Sequence, residues 1–212
     1  YGENPQQKAT AFFNNNMFKQ LSGEKKLSYN NLLDLDSALT ITYLTNSNKH
    51  ICTIVKHNIP CGASIETSQI KSYTNALDGD PVSAFGGVIA FNKKITSLTA
   101  KNLLKNFYEV VAAPDFDSEA LKILKKKVNL RVLKVKKYKV NIEQRSIFAG
   151  MLVQQANSKK STIKKVYGVN SLNDEKINFF SNVLKAVKSN AIAMFDQTSL
   201  VSQSGGQTSR ID

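Results

Sequence analysis

Tryptophan is absent from this 212-residue sequence, and histidine, cysteine and arginine are scarce. Two cysteines, Cys52 and Cys61, are too few for a disulfide framework, so we expect reduced thiols and a cytoplasmic protein. No apolar run approaches the roughly 20 residues that span a bilayer, and the amino-terminal residues lack a signal-peptide pattern. These absences disfavour a membrane protein and a disulfide-stabilised secreted domain.

Acidic residues are also few: 16 of them face 29 basic residues, which gives a formal net charge of +13. Most of the basic residues are lysines, and residues 122–139 contain no acid. One interpretation is a non-catalytic basic module that binds RNA or another polyanion. The other is a lysine-rich surface without a dedicated partner. No nucleic-acid-reading motif with stacking aromatics accompanies the charge, which disfavours a nucleic-acid partner.

Short apolar runs alternate with segments of helical periodicity. This alternation predicts an α/β sheet with helices on its faces. The predicted strands are 9–13, 51–55, 88–91, 110–113, 131–135, 148–154, 191–195 and 200–202. The predicted helices are 29–46, 67–77, 97–104, 118–126 and a segment that follows the capping residue Asn173.

The strand 51–55 leads directly into Lys56 and His57, and we expect a turn at Pro60 to Gly62 and a helix from about Glu66. Open α/β sheets place their chemistry at such a strand end before a helix. An imidazole can accept a proton near neutral pH, and a neighbouring ammonium can stabilise a developing oxyanion. The alternative is a loop histidine beside a surface lysine.

Two glycine-containing segments and one asparagine are further candidates. The segment 83–87 contains Gly86 and lets the backbone approach a ligand closely. The segment 205–210 offers amides, hydroxyls and the scarce guanidinium of Arg210, which suit a phosphate or carboxylate. Neither fits the P-loop or the dinucleotide fingerprint. Asn190 can hydrogen-bond a polar ligand, although ordinary turns and a capping asparagine explain these features too.

A catalytic zinc is disfavoured by the residues around Pro60 and Cys61. Zinc deaminases combine a His or Cys ligand and a catalytic Glu with Pro-Cys-x-x-Cys. Here Ser64 stands where the second cysteine would be, and no His-x-Glu occurs. The three protein ligands of a catalytic zinc site are therefore not found.

Six segments, in order, resemble the bifunctional AICAR transformylase/IMP cyclohydrolase family of purine biosynthesis, in its transformylase part. They span the whole chain: 1–7, 27–31, 55–62, 80–90, 188–192 and 206–212. The resemblance implies formyl transfer from the cosubstrate 10-formyltetrahydrofolate to the 5-amino group of AICAR. It also implies a homodimer with the site at the subunit interface.

The fold implied by this resemblance is a cytidine-deaminase-like three-layer α/β/α unit with a mixed sheet and no zinc. The chain 1–212 would be the first of two such units. The second unit and an amino-terminal IMP cyclohydrolase domain match nothing in it, so we expect the chain alone to be inactive.

The resemblance also implies roles for individual residues. His57 would be the proton acceptor and Lys56 would assist at the formyl oxygen. Nucleotide contacts match Tyr1, Gly86, Glu109, Asn190 and Arg210, and a folate contact matches Ile211, with Glu109 placed by its five-residue spacing before Pro114. One departure is Gln6, where the family usually has histidine.

Overall fold

A computed structural model describes residues 2–13, 16–137, 141–157, 162–168 and 172–209. Within these ranges no helix is both long and apolar enough to cross a membrane. The strands are β1 Phe18–Ser22, β2 His50–Lys56, β3 Ile59–Glu66, β4 Gly87–Phe91, β5 Tyr108–Ala113, β6 Arg131–Val135, β7 Ile142–Ile147, β8 Gly150–Gln155, β9 Ile192–Phe195 and β10 Leu200–Ser204. The helices are α1 Tyr29–Leu44, α2 Gln69–Gly79, α3 Pro81–Ala84, α4 Ser97–Leu103, α5 Ser118–Leu124 and α6 Asp174–Lys185.

The predicted α/β architecture is confirmed by one six-stranded mixed sheet in the described ranges, with the order β1-β6-β5-β4-β2-β3. Strands β4, β5 and β6 are parallel. Strand β2 runs antiparallel to both of its neighbours, β3 and β4, and β1 runs antiparallel to β6. The central strands are mostly apolar because both faces of the sheet are covered.

Each face of the sheet contributes to a separate buried cluster. One cluster includes Tyr73 of α2, Leu103 of α4 and Ile123 of α5. The other includes Ile41 of α1 and Phe179 of α6. Helices therefore pack on both faces, and the sheet between them is shielded from water.

Residues 59–66 form a strand, and the predicted turn at Pro60 to Gly62 is therefore wrong. Strand β3 lies at the sheet edge, where a proline costs no ladder hydrogen bond. Opposite β2, Ile54 pairs with Gly62 and Val55 pairs with Pro60, so Cys61 is the extra residue of a β-bulge. The helix that follows begins at Gln69, not near Glu66.

The predicted strand at 9–13 is also wrong, because that segment lies outside all strands and Phe12 is 93% exposed. The edge position is taken by β1, which pairs with β6. The predicted strand at 148–154 is confirmed as β8 from Gly150 onward, and its unpredicted partner is β7. The late strand pair is confirmed as the antiparallel hairpin of β9 and β10.

Candidate active site

His57 lies in the tight turn between β2 and β3, not in a connection from a strand to a helix. Lys56 pairs with Ile59, so the turn contains two residues, His57 and Asn58. Both have positive φ, 53° and 65°, as in the two-residue turns that favour antiparallel hairpins. The strand ends at Lys56, which allows two consecutive side chains to serve one site.

A cavity of about 420 Å³ brings Lys56 and His57 together. Its walls come from the β2–β3 hairpin, the junction of α2 with α3, and β10. The other lining residues are Ile59, Pro60, Cys61, Gly79, Asp80, Ser83, Leu200, Val201, Ser202 and Gln203. The sheet end at this cavity combines the carboxyl end of β2 with the amino ends of β4 and β5. The rule for open α/β sheets predicts a site at the carboxyl ends of the parallel strands, whereas this cavity lies at their amino ends.

The ammonium of Lys56 connects the hairpin to the glycine segment. Its Nζ donates a hydrogen bond of 2.7 Å to the carbonyl oxygen of Phe85. The next residue, Gly86, has φ +76° and donates its amide to the Phe107 carbonyl at 2.8 Å. A glycine adopts this φ without strain. The structure therefore places Gly86 one residue away from the oxygen that holds Lys56.

Glu109 follows two residues after Phe107, in a second β-bulge. Gly87 pairs with Tyr108 and Val88 pairs with Val110, so Glu109 is the extra residue of β5. Its carboxylate forms an ion pair with Arg131, whose side chain is only 7% exposed. Arg131 lies in the basic segment 122–139, yet its guanidinium is buried and does not form part of a basic surface. The pair with Glu109 compensates for removing this guanidinium from water.

Asn190 lies beside the carboxyl-terminal glycine segment. Its side-chain Nδ2 donates to the carbonyl oxygen of Gln207 at 3.1 Å, and the Gly206 amide donates to the Lys188 carbonyl at 2.6 Å. Segments 188–190 and 205–207 are thus held together. The second of these segments follows directly after the cavity-lining strand β10. Tyr1, Arg210 and Ile211 lie outside the described residues.

Asp80 is a cavity carboxylate that sequence reasoning missed. It caps α3 by accepting the Ser83 amide at 2.9 Å. The Ser83 hydroxyl and amide hold the pKa of Asp80 below its usual value, and Lys56 acts in the same direction. The signal was present as an Asp directly before Pro81, a common start for a helix.

Cys61 lines the cavity as a neutral thiol. Burial, followed by the charge of Asp80, raises the pKa of Cys61 to about 12. Its Sγ donates to the Ile54 carbonyl at 3.5 Å. A thiol must ionise to bind a metal tightly. In the part of the chain that the structure describes, no group of three or more His, Cys, Asp or Glu residues is arranged to hold a metal ion.

A mixed α/β sheet whose end presents a cation, an imidazole and a carboxylate around one cavity has the form of a small-molecule site. Comparison with known proteins gives the family. The chain belongs to the AICARFT/IMPCHase bienzyme family, whose model matches residues 1–212. This confirms the resemblance found in the six sequence segments.

Two curated relatives carry the name bifunctional purine biosynthesis protein PurH. The relative from Prochlorococcus marinus strain MIT 9312 is 43% identical over 232 residues, which cover 100% of this chain and 45% of the relative. The relative from Clostridium botulinum strain 657 / Type Ba4 is 40% identical over 222 residues, which cover 100% of this chain and 44% of the relative. The chain thus spans less than half the length of these relatives.

Proposed function

We propose that the full-length protein acts in purine biosynthesis as an AICAR transformylase. It transfers the formyl group of 10-formyltetrahydrofolate to the 5-amino group of AICAR. The observation that carries this proposal is the shared cavity of Lys56 and His57 in a chain of the AICARFT/IMPCHase family. Its relatives, by their name, are bifunctional, and the second activity we assign is IMP cyclohydrolase, in a domain outside this chain.

The proposed reaction is an acyl transfer. The 5-amino nitrogen of AICAR attacks the formyl carbon, and a carbon–nitrogen bond forms while the formyl C=O becomes an oxyanion. The Lys56 ammonium stabilises that negative charge. The imidazole of His57 takes the proton that the amine loses. The oxyanion then collapses to the carbonyl, the bond from the formyl carbon to folate N10 breaks, N10 receives the proton held by His57, and tetrahydrofolate leaves.

The remaining assignments complete this proposal. Gly86, Glu109 and Asn190 contact the nucleotide, together with Tyr1 and Arg210, while Ile211 contacts folate. Three contacts support the assignment: Lys56 to Phe85, Gly86 to Phe107, and Asn190 to Gln207. These contacts lie near the ends of β2, β4, β5 and β10.

The chain is proposed to be the first cytidine-deaminase-like unit of the transformylase domain. The mixed sheet with helices on both faces supports this classification. The protein is proposed to be cytoplasmic and homodimeric, with its site completed at the subunit interface.

The substitution His57→Ala in the full-length protein tests the assignment of the base. Transformylation should be lost, while AICAR binding measured by calorimetry should largely survive. His50→Gln is the matched control, because His50 begins β2 at the far end from Lys56. Near-normal turnover of His57→Ala would remove His57 from the role of base.

The alternative, a basic module that binds RNA, has a separate signature. Its affinity would fall steeply with salt and would show no preference for AICAR. Several exposed lysines are already paired with acids, as in Lys94 with Asp117 and Lys134 with Asp115. Calorimetry of AICAR and of a short RNA at two salt concentrations separates the two functions.

A further inference from the structure

The turn that carries His57 needs support from outside the hairpin. His57 and Asn58 both have φ in the left-handed region. Asparagine and histidine tolerate this conformation better than most residues with a Cβ, but two consecutive residues in it still carry strain that glycine would not. Strained backbone of this kind persists only where the surrounding structure holds it.

Helix α1 supplies two contacts to Asn58. The Asn58 amide donates to Oδ1 of Asp34 at 2.6 Å. The Ser37 hydroxyl donates to the side-chain oxygen of Asn58. Asp34 and Ser37 are three residues apart and so lie on the same helix face. The Asn58 amide belongs to the peptide that follows His57, so the Asp34 contact acts directly on that peptide, while the Ser37 contact holds the Asn58 side chain.

Asp34 is a buried carboxylate, only 8% exposed. Burying a charge is costly unless it is hydrogen-bonded. Bonds from an amide to a carboxylate are among the stronger hydrogen bonds in proteins. The nearby negative charge of Asp34 also contributes to the raised pKa of Cys61, which lines the same cavity as His57. Asp34 is therefore close enough to the cavity wall for its charge to act on Cys61.

Helix α1 is a rigid base for this contact. Its start has a reciprocal capping box between Ser28 and Asn31. Ala38 and Ile41 are fully buried against the sheet. A carboxylate on a fixed helix can hold a neighbouring turn more accurately than one on a loop.

We propose that Asp34 is a positioning residue for His57. It fixes the Asn58 amide, and through the peptide between residues 57 and 58 it sets the direction in which the imidazole enters the cavity. This inference rests on the proposed role of His57 as the base. Asp34 itself contacts the turn backbone and takes no part in proton transfer.

The test compares three variants in the full-length protein. Asp34→Ala removes the acceptor, and Asp34→Asn keeps a neutral acceptor for the same amide. Asp36→Ala is the matched control, because Asp36 lies on the same helix and is exposed. The readouts are kcat and KM for AICAR, and deuterium exchange of the Asn58 amide.

A misplaced catalytic group lowers kcat more than it weakens substrate binding, and we expect Asp34→Ala to reduce kcat by about 100-fold. The KM for AICAR should change by less than about threefold, because the contacts that bind AICAR equally in the ground state and the transition state are retained. Exchange of the Asn58 amide should become faster. Asp34→Asn should fall between wild type and Asp34→Ala, and Asp36→Ala should match wild type.

A role in stability alone predicts a different pattern. The folded fraction would fall, while kcat per folded molecule and the Asn58 exchange in that fraction would match wild type, and this outcome overturns the proposal. If Asp34→Ala does not fold, the smaller change in Asp34→Asn decides by the same two readouts. If wild type shows no transformylase activity, the proposed function fails, and unchanged Asn58 exchange in the variants would still overturn the positioning role.

Discussion

Lys56 and Phe85 are joined by a hydrogen bond of 2.7 Å from the lysine ammonium to the phenylalanine carbonyl. This bond links the end of β2 to the segment that enters β4. Gly87 is packed tightly at the same place, since a Cβ there would lie 3.0 Å from the Val55 carbonyl oxygen. The Phe85 carbonyl thus orients the Lys56 ammonium.

We predict that Lys56→Met in the full-length protein lowers the kcat of formyl transfer by roughly 100-fold, the usual effect of removing one group that stabilises an oxyanion. The methionine keeps much of the apolar stem, so the unfolding temperature should change little. Steady-state kinetics with AICAR and 10-formyltetrahydrofolate measure the effect. Lys101→Met, on the exposed face of α4, is the control. Wild-type kcat in Lys56→Met would contradict the role of the ammonium.

Gly62 allows α2 to approach β3. A Cβ at this position would lie 2.0 Å from the Ala76 carbonyl oxygen, so the backbone of the helix would have to move. We predict that Gly62→Ala destabilises the protein by about 3 kcal/mol, at the upper end of typical overpacking costs. Urea unfolding measures this change. Gly150→Ala is the control, because among the described residues no atom lies within 4 Å of the Cβ that alanine would add there. Equal stability of the two variants would refute the packing argument.

Cys61 should react slowly although it lines the cavity. Burial raises its pKa to about 12, and the thiolate is the nucleophile. At pH 8 we predict alkylation by iodoacetamide roughly a thousandfold slower than that of a free cysteine. Peptide mass spectrometry at timed intervals measures the rate, with unfolded protein in urea as the control. Rapid labelling of the folded protein would contradict the neutral, buried thiol.

Glu175 fastens α6 to the body of the molecule. It accepts from the Ser47 hydroxyl at 2.5 Å and pairs with Lys49 at 3.1 Å. The Ser47 hydrogen bond, followed by Lys49, holds the pKa of Glu175 below its usual value. A depressed carboxyl pKa in the folded state contributes stability above the unfolded pKa, and that contribution is lost as pH falls through the folded value.

We therefore predict that Glu175→Gln destabilises the protein at pH 7, and that this effect shrinks as pH falls below about 4 and through the lower pKa of the folded carboxyl, where the wild-type group becomes protonated. Thermal unfolding across this pH range measures the difference. Glu119→Gln serves as control, because Glu119 is 61% exposed and its pair with Lys122 is long at 3.8 Å. A Glu175→Gln effect that is independent of pH would argue against the ion pair.

The sequence by itself determined the family, the α/β class and most of the central elements. Strands β4, β5 and β6 are readable because they are short apolar runs between helical segments, and α6 is readable from its Asn173 cap. One of the six ordered segments, 55–62, contains Lys56 and His57, and the resemblance predicts their roles without any tertiary contact. Local chemistry is sufficient for these features.

Tertiary structure alone decided how those residues meet. In the sequence alone, Pro60 indicates a turn. In the structure it lies in a strand, because β3 is at the edge of the sheet. In the sequence alone, Arg131 resembles a surface cation. In the structure it is buried and paired with Glu109. Asp34 contacts Asn58 from 24 residues away, and no periodicity encodes that pairing. Such contacts depend on which strands become neighbours, because packing fixes distances between residues that are remote in the chain.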